Sequence, residues 1–222
     1  MEDYITTPQF LDKIFNSNDT NKFHNLIISK TDLCDFYNIL SWCKKYNNTN
    51  FNNVLFNAFN NKDIIIDNNI LRHCVRVSYQ KLIEFLIEHV LNIEQCSQLL
   101  YYCCDYDNIE LIKLLLKQGI DINYDNCKIF DIACGCENLE ILKLLLDFGL
   151  HIDYNNDNII SGIKYIIRRK KVKIIKLFIS NGIDFSFLNE IHQKERIVEE
   201  EEIIGMLQDQ GVNINKIYRL LF

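Results

Sequence analysis

Residues 108–119 read NIELIKLLLKQG and residues 138–149 read NLEILKLLLDFG, thirty positions further on. In the first stretch Leu111, Ile112, Leu115 and Leu116 recur at spacings of three and four, the period of a helix face. Leu114 fills a flank, so the helix is apolar over most of its circumference and has to lie between neighbours. Gly119 and Gly149 stand where a helix is best ended by a residue at positive φ, which glycine adopts without a Cβ clash.

The same phrase returns twice more, as KVKIIKLFISNG ending at Gly182 and EEEIIGMLQDQG ending at Gly211, while QKLIEFLIEHV places Val90 in the corresponding position before Gly119. A short echo follows each glycine: Asp121 and Asn123, His151 and Asp153, Asp184 and Ser186, Asn213 and Asn215 alternate with apolar residues. Two separate signals in one register, with a period near thirty, predict a row of stacked repeats. About ten residues upstream of each apolar helix lies another, led by Leu71, Leu100, Phe130 and Ile163. It carries compact pairs, Cys74-Val75, Cys103-Cys104, Ala133-Cys134 and Ile166-Ile167, which let neighbouring helices approach. The predicted unit is a helix hairpin plus a connecting finger, and the fold class is all-α, a helical solenoid of stacked hairpins.

Residues 1–66 have helical apolar spacing around Phe10–Phe15, Phe23–Ile28, Leu33–Tyr46 and Phe51–Phe59, broken by polar stretches such as Asn47–Asn50. They are expected to form a degenerate helical cap on about five repeats in residues 67–222. Trp42, the single tryptophan, is expected in the core of that cap. Ile217, Leu220, Leu221 and Phe222 are expected to close the other end as a short helix. No linker or low-complexity stretch divides the chain, so one elongated domain and a monomer are expected.

Composition narrows the function. The 222 residues are 48% hydrophobic and 24% charged, enough to build a core. The longest apolar run, Leu99 to Cys104, is far below the ~20 residues a membrane-spanning helix needs, and the start carries Glu2, Asp3 and Pro8 where a leader would be basic and then apolar. A formal charge of −6 and a pI near 5.4 argue against nucleic acid as a partner. Nine cysteines without a C-x-x-C pair fit a reducing compartment, cytoplasmic or nuclear. Asn and Ile make up roughly a quarter of the residues, a bias of AT-rich genomes that speaks of source and not of activity.

Candidate chemistry is sparse. Cys103, Cys104, Cys134 and Cys136, with Cys74 and Cys127, are the strongest metal-ligand candidates, but equivalent thiols on helices ~8–10 Å apart do not share one ion. They are expected to be small core hydrophobes, with no metal and no cofactor bound. His24, His73, His89, His151 and His192 fall in different repeat positions, and no phosphate-cradling loop, nucleophile elbow or matched carboxylate pair is present. A non-enzymatic protein is expected, with a Cys-dependent enzyme as the alternative of another class. Within the basic run Arg168 to Lys173, Lys170, Lys171 and Lys173 align with Glu199, Glu200 and Glu202 of the next unit at an offset of 29, so stacking is expected to set opposite charges side by side.

The helix segments such as residues 138–146, the closing Gly149 with its echo, and Ala133-Cys134 at the paired-alanine position resemble the ankyrin repeat. The Thr-Pro-Leu-His tetrapeptide of that family is absent; Lys128, Ile129, Phe130 and Asp131 stand in its place. The thirty-residue, Asn/Ile-rich form is similar to the ankyrin families of giant DNA viruses. The resemblance implies a protein–protein interaction module, with partners contacted on the concave and finger face. Carried over by position, the contact residues are Arg76 and Val77, Asp105 and Tyr106, Gly135 and Cys136, Arg168 and Arg169, with finger residues Tyr124, Asp125, Cys127, Asp157 and Asn158. A viral protein engaging host proteins is the leading expectation. A ubiquitin-ligase substrate adaptor is the alternative within binding, although Leu33–Tyr46 is a poor match to an F-box.

Overall fold

The computed structural model of the protein describes residues 8–29, 33–190 and 201–214. Among these there are α-helices, one 3-10 turn and no strand. They divide into two compact units, residues 1–115 and 116–222. The division falls inside a helix.

The first unit is built from α1 (Pro8–Ser17), α2 (Thr20–Ile28), α3 (Leu33–Tyr46), α4 (Thr49–Asn60), α5 (Asn68–Val77), α6 (Gln80–His89), α7 (Ile93–Asp105) and the larger part of α8 (Ile109–Lys117). First helices pack on first helices, α1 on α3, α3 on α5 and α5 on α7, while α2, α4 and α6 form a second row. The N-terminal residues described therefore make two hairpins of the same kind as those that follow.

Each hairpin turns through one left-handed residue, Asn18, Asn47, Ser78 and Asp107, all with φ between 44° and 54°. Asn, Asp and Ser reach this region where larger side chains rarely do, because their short polar groups bond locally. In three of these four hairpins the next residue caps the second helix: Asp19 accepts from Lys22 N at 3.0 Å, Asn48 from Asn50 N at 2.8 Å and Asn108 from Leu111 N at 3.2 Å, whereas Tyr79 after Ser78 makes no side-chain cap. Such a cap contributes about 0.5–2 kcal/mol. These turns are also tied hairpin to hairpin, by Asn48 Nδ2 to Asn18 Oδ1 at 3.4 Å, Lys81 Nζ to Asn47 Oδ1 at 3.0 Å and Asn108 Nδ2 to Ser78 Oγ at 2.7 Å. The asparagines of these turns thus have a structural use.

The second unit contains α9 (Tyr124–Cys136), α10 (Leu139–Asp147), α11 (Asp157–Arg168), α12 (Val172–Ser180), a 3-10 turn at Ser186–Glu190 and α13 (Glu201–Asp209). Here α9 packs on α11 and α10 on α12, the same two-row plan. Gly119, Gly149, Gly182 and Gly211 all take positive φ, between 75° and 90°, as helix-ending residues should. The core is apolar throughout: Phe130, Ile141, Leu142, Leu145, Ile163, Ile166, Ile175 and Phe178 are all fully enclosed.

Fingers in this unit are joined by backbone-directed bonds. Asn123 Oδ1 accepts from His151 N at 2.8 Å, and the Tyr154 hydroxyl accepts from Asp184 N at 2.7 Å. At the start of α9 three consecutive residues, Asp125, Asn126 and Cys127, are left-handed, with φ of 53° to 56°. That turn exposes the Asn126 carbonyl, which accepts from Asn156 Nδ2 and Asn158 Nδ2 at 2.9 Å each.

The charge register differs from expectation. Lys171 pairs with Glu137 of the preceding hairpin, where Arg169 Nε also donates at 2.6 Å. Glu202 accepts from Lys176 at 2.8 Å. Glu137 occupies the left-handed turn position, so its carboxylate reaches the next turn, where Arg169 and Lys171 sit; Lys176 lies along the face that α12 turns to α13. Glu199 and Glu200 lie outside the described residues, as do His192 and the expected closing helix of Ile217, Leu220, Leu221 and Phe222.

Candidate functional site

In the first unit the expected contact positions fall at the C-terminal ends of α5 and α7. Arg76, Asp105 and Tyr106 are exposed, Tyr106 by 40%. Arg76 and Tyr106 flank a hollow of about 410 Å³ whose other walls are Val75, Ser78, Asp107, Asn108, Ile109 and Glu110. Val77, expected beside Arg76 on the surface, is buried, because one residue along a helix turns the side chain by about 100° and returns it to the core.

In the second unit Gly135, Cys136, Arg168 and Arg169 are exposed at the ends of α9 and α11. Arg168 lines a hollow of about 220 Å³ with Asp157, Ile160, Ser161 and Lys164. Arg169 is committed to Glu137, which also receives Lys171 and, at 3.3 Å, the Tyr165 hydroxyl. The hydrogen bonds from Lys171 and Arg169 hold the Glu137 carboxyl at about 2, well below the usual range. Among the finger residues Tyr124, Asp125 and Asp157 are exposed, and Asp125 pairs with Lys128 at 3.6 Å. Asn158 is half-buried on the Asn126 carbonyl. Cys127 does not belong to the exposed set: its left-handed backbone turns the thiol inward, toward Asn123 Oδ1 and the His151 carbonyl at 3.6 Å each.

Sequence reasoning missed a row of stacked cations on the first helices of the first unit. The Arg76 guanidinium lies 4.8 Å from the centre of the Tyr37 ring, and that of Arg72 lies 4.9 Å from the Tyr102 ring. Further along α3, Lys45 Nζ sits 4.0 Å over Trp42, which is half-buried and stacked on Tyr46. The available signal was the spacing of Arg72 and Arg76, one turn apart on a short helix, with tyrosines on the helices before and after. His73, between the two arginines, is half-buried 5.4 Å from Tyr37, and its Nδ1 is enclosed without a hydrogen-bond partner among the described residues.

The thiols are uniform in character. Among the described cysteines Cys43, Cys74, Cys96, Cys103, Cys104, Cys127 and Cys134 are buried and Cys136 is exposed, and none is in a disulfide. Burial pushes Cys74 up to about 12 and raises Cys43, Cys103 and Cys134 as well, opposite to what a nucleophile needs. Among the described residues no group of three or more His, Cys, Asp or Glu side chains is placed to hold a metal ion. No described helix is long and apolar enough to cross a membrane.

Helix hairpins with left-handed turns, ordered in two rows and joined by fingers, define a class of helical repeat protein built to present side chains. The chain matches the family of ankyrin repeats (three copies) over residues 71–158 and 100–189, more than half of its length, and it belongs to that family. An ankyrin repeat protein of Acanthamoeba polyphaga mimivirus is 30% identical over 87 residues, 39% of this chain and 13% of the relative. The match thus covers only a small part of that viral protein's length. No solved structure matches the chain. Ankyrin repeats are in general protein–protein interaction modules and not enzymes.

Proposed function

We propose that the chain is a non-enzymatic protein-interaction module that binds through the exposed ends of its first helices and through its fingers, and that it is a viral protein acting on host proteins inside the cell. The observation that carries this is the pairing of exposed Tyr106 with Arg76 around a hollow of about 410 Å³. Tyrosine and arginine contribute most to interface energy when a partner encloses them, and here Arg76 sits in the last turn of α5 and Tyr106 at the C-terminal cap of α7, beside a pocket for an anchor side chain. The second unit adds Arg168 and Cys136 at the ends of α11 and α9, and Tyr124 in a finger. The viral relative supports the host-directed reading, and the raised thiols support a role without covalent chemistry.

Affinity capture from the host cell tests this, with Tyr106→Ala and Arg168→Ala compared against the parent chain. A partner retained by the parent and lost from either variant supports the assigned surface. A partner held equally by all three moves the site elsewhere on the protein.

A further inference from the structure

We propose that the face shared by α3, α5 and α7 takes an acidic protein segment laid across the three helices, whose carboxylates are forked by Arg72 and Arg76 from opposite sides of α5. The inference rests on the reading of the chain as a protein-binding module and specifies the chemistry of the partner there.

Arg72 and Arg76 are exposed and one helical turn apart, yet their heads part company. Arg72 leans onto Tyr102 of α7, and Arg76 leans onto Tyr37 of α3. A guanidinium stacked on a ring has its flat face occupied and its N–H edge turned outward, the edge that grips a carboxylate with two parallel bonds. Neither head is in an ion pair among the described side chains. The rings hold the heads in place before a partner arrives, Tyr102 being itself buried, so less side-chain entropy is lost on binding.

Basic groups gather on α3 and α5, while the acids of this face stand on α7, Glu94 and Asp105, and at the cap of α5, Asp67. From residue 36 to the end of α3, and along the whole of α5, no acidic residue occurs, whereas Lys44, Lys45, Arg72 and Arg76 do. Lys44 is spent on the Val77 carbonyl at 2.7 Å, which holds α5 to α3 and adds positive potential to the face. This stands against a chain whose formal charge is −6. A basic stretch on α3 and α5 beside the acids of α7 draws a partner's carboxylates over α5 and orients its approach.

The ends of the row decide between partners. Beyond Arg76 the hollow at Tyr106 has apolar walls, Val75 and Ile109, but its rim carries Asp107 and Glu110. A phosphate backbone, charged at every step, would be repelled there. A peptide can place carboxylates over α5 and an uncharged side chain in the hollow. Helices in a row stand about 8–10 Å apart, so the segment crosses them extended.

The test uses fluorescence anisotropy with the full chain and three labelled probes: a twelve-residue peptide alternating Glu and Ser with one central Leu, the same peptide with Gln for every Glu, and a twelve-nucleotide oligo-dT. The Glu peptide is expected to bind at least about tenfold more tightly than the Gln peptide, because charge-assisted bonds to two arginines are lost in the second. Arg72→Gln with Arg76→Gln should weaken the Glu peptide by about tenfold or more. Lys13→Gln with Lys62→Gln, which removes as much charge elsewhere in the unit, should leave it unchanged. Arg72→Lys with Arg76→Lys keeps charge and stem packing, and a partial loss from it shows that the fork matters. Equal binding of the Glu and Gln peptides, tighter binding of oligo-dT, or equal losses in the two Gln pairs would each overturn the proposal. If neither peptide binds while a captured host protein is still lost on Tyr106→Ala, the acidic assignment falls and the binding-module reading stands.

Discussion

Gly162 of α11 lies so close against Cys134 of α9 that a Cβ built on it would come within 2.9 Å of the cysteine Sγ, and within 3.0 Å of the Phe130 ring. Neither neighbour has room to yield, since Phe130 and Cys134 are both fully buried. The small residues on this pair of helices therefore set their separation. Gly162→Ala is expected to destabilise the protein by about 1–3 kcal/mol through overpacking. Gly205→Ala, inside α13 with open space around its Cα, is expected to stabilise by roughly 0.5–1 kcal/mol, the ordinary cost of glycine in a helix. Urea denaturation of both variants reads the two opposite signs, and a neutral Gly162→Ala would refute the close approach.

Glu137 gathers Arg169, Lys171 and Tyr165 onto one carboxylate at the turn between α9 and α10. Its pKa in the folded protein, about 2, is depressed from an ordinary 4.5. The folded state therefore binds the proton less readily than the unfolded one. The stabilisation is complete above about pH 4.5 and is lost as the pH falls toward 2. Glu137→Gln should lower the melting temperature by a few degrees at most at neutral pH, because exposed pairs are screened, and by less in high salt. Near pH 2 the variant and parent should melt together. A difference that persists there would place the contribution in packing and not in charge.

How much of this was written in the sequence depends on the residue. The second helices were legible because Leu111, Ile112, Leu115 and Leu116 repeat thirty positions later, and because Gly119 and Gly149 punctuate them. The N-terminal hairpins were not legible as equals of the rest, since α2 and α4 end without the glycine that closes later second helices, and after α4 it is Lys62 that turns left-handed, which no side-chain pattern announces. Cys127 was misplaced for the same reason: three successive left-handed residues rotate it into the interior. The partners of Lys171 and Lys176 escaped because repeat spacing fixes which positions are equivalent, not which way a long side chain leans. The stacked arginines depend on side-chain direction too, which only the packed helices supply.

Cys136 is the exposed thiol among the cysteines described, whereas Cys74, Cys103 and Cys134 are enclosed and their thiolates are disfavoured. Iodoacetamide at neutral pH should therefore modify Cys136 in the native protein and leave Cys43, Cys74, Cys103, Cys104 and Cys134 untouched until denaturant is added. Peptide mapping after a timed reaction measures this. Selective labelling at Cys136 follows from exposure and does not by itself indicate an enzyme; fast labelling of Cys103 or Cys134 would contradict the packed core.

His73 offers the last test, because its charge state reports on the arginine row. Burial is the largest influence on it and lowers its pKa; Arg76 and Arg72 lower it further, and Asp67, at the cap of α5, acts in the opposite sense. The unfolded chain has no such neighbours, so its histidine titrates near 6.5. The folded state then binds fewer protons than the unfolded one, and stability must rise with pH across the interval between the two values. Above about 6.5 the contribution of His73 is constant; below it, stability is lost as the pH falls through the folded value. His73→Phe keeps a ring against Tyr37 and removes the titration. The parent should lose more thermal stability than this variant on going from pH 7.5 to pH 5. Parallel losses in the two proteins would mean that the imidazole is solvated, and with it that the face between Arg72 and Arg76 is more open than the enclosed Nδ1 requires.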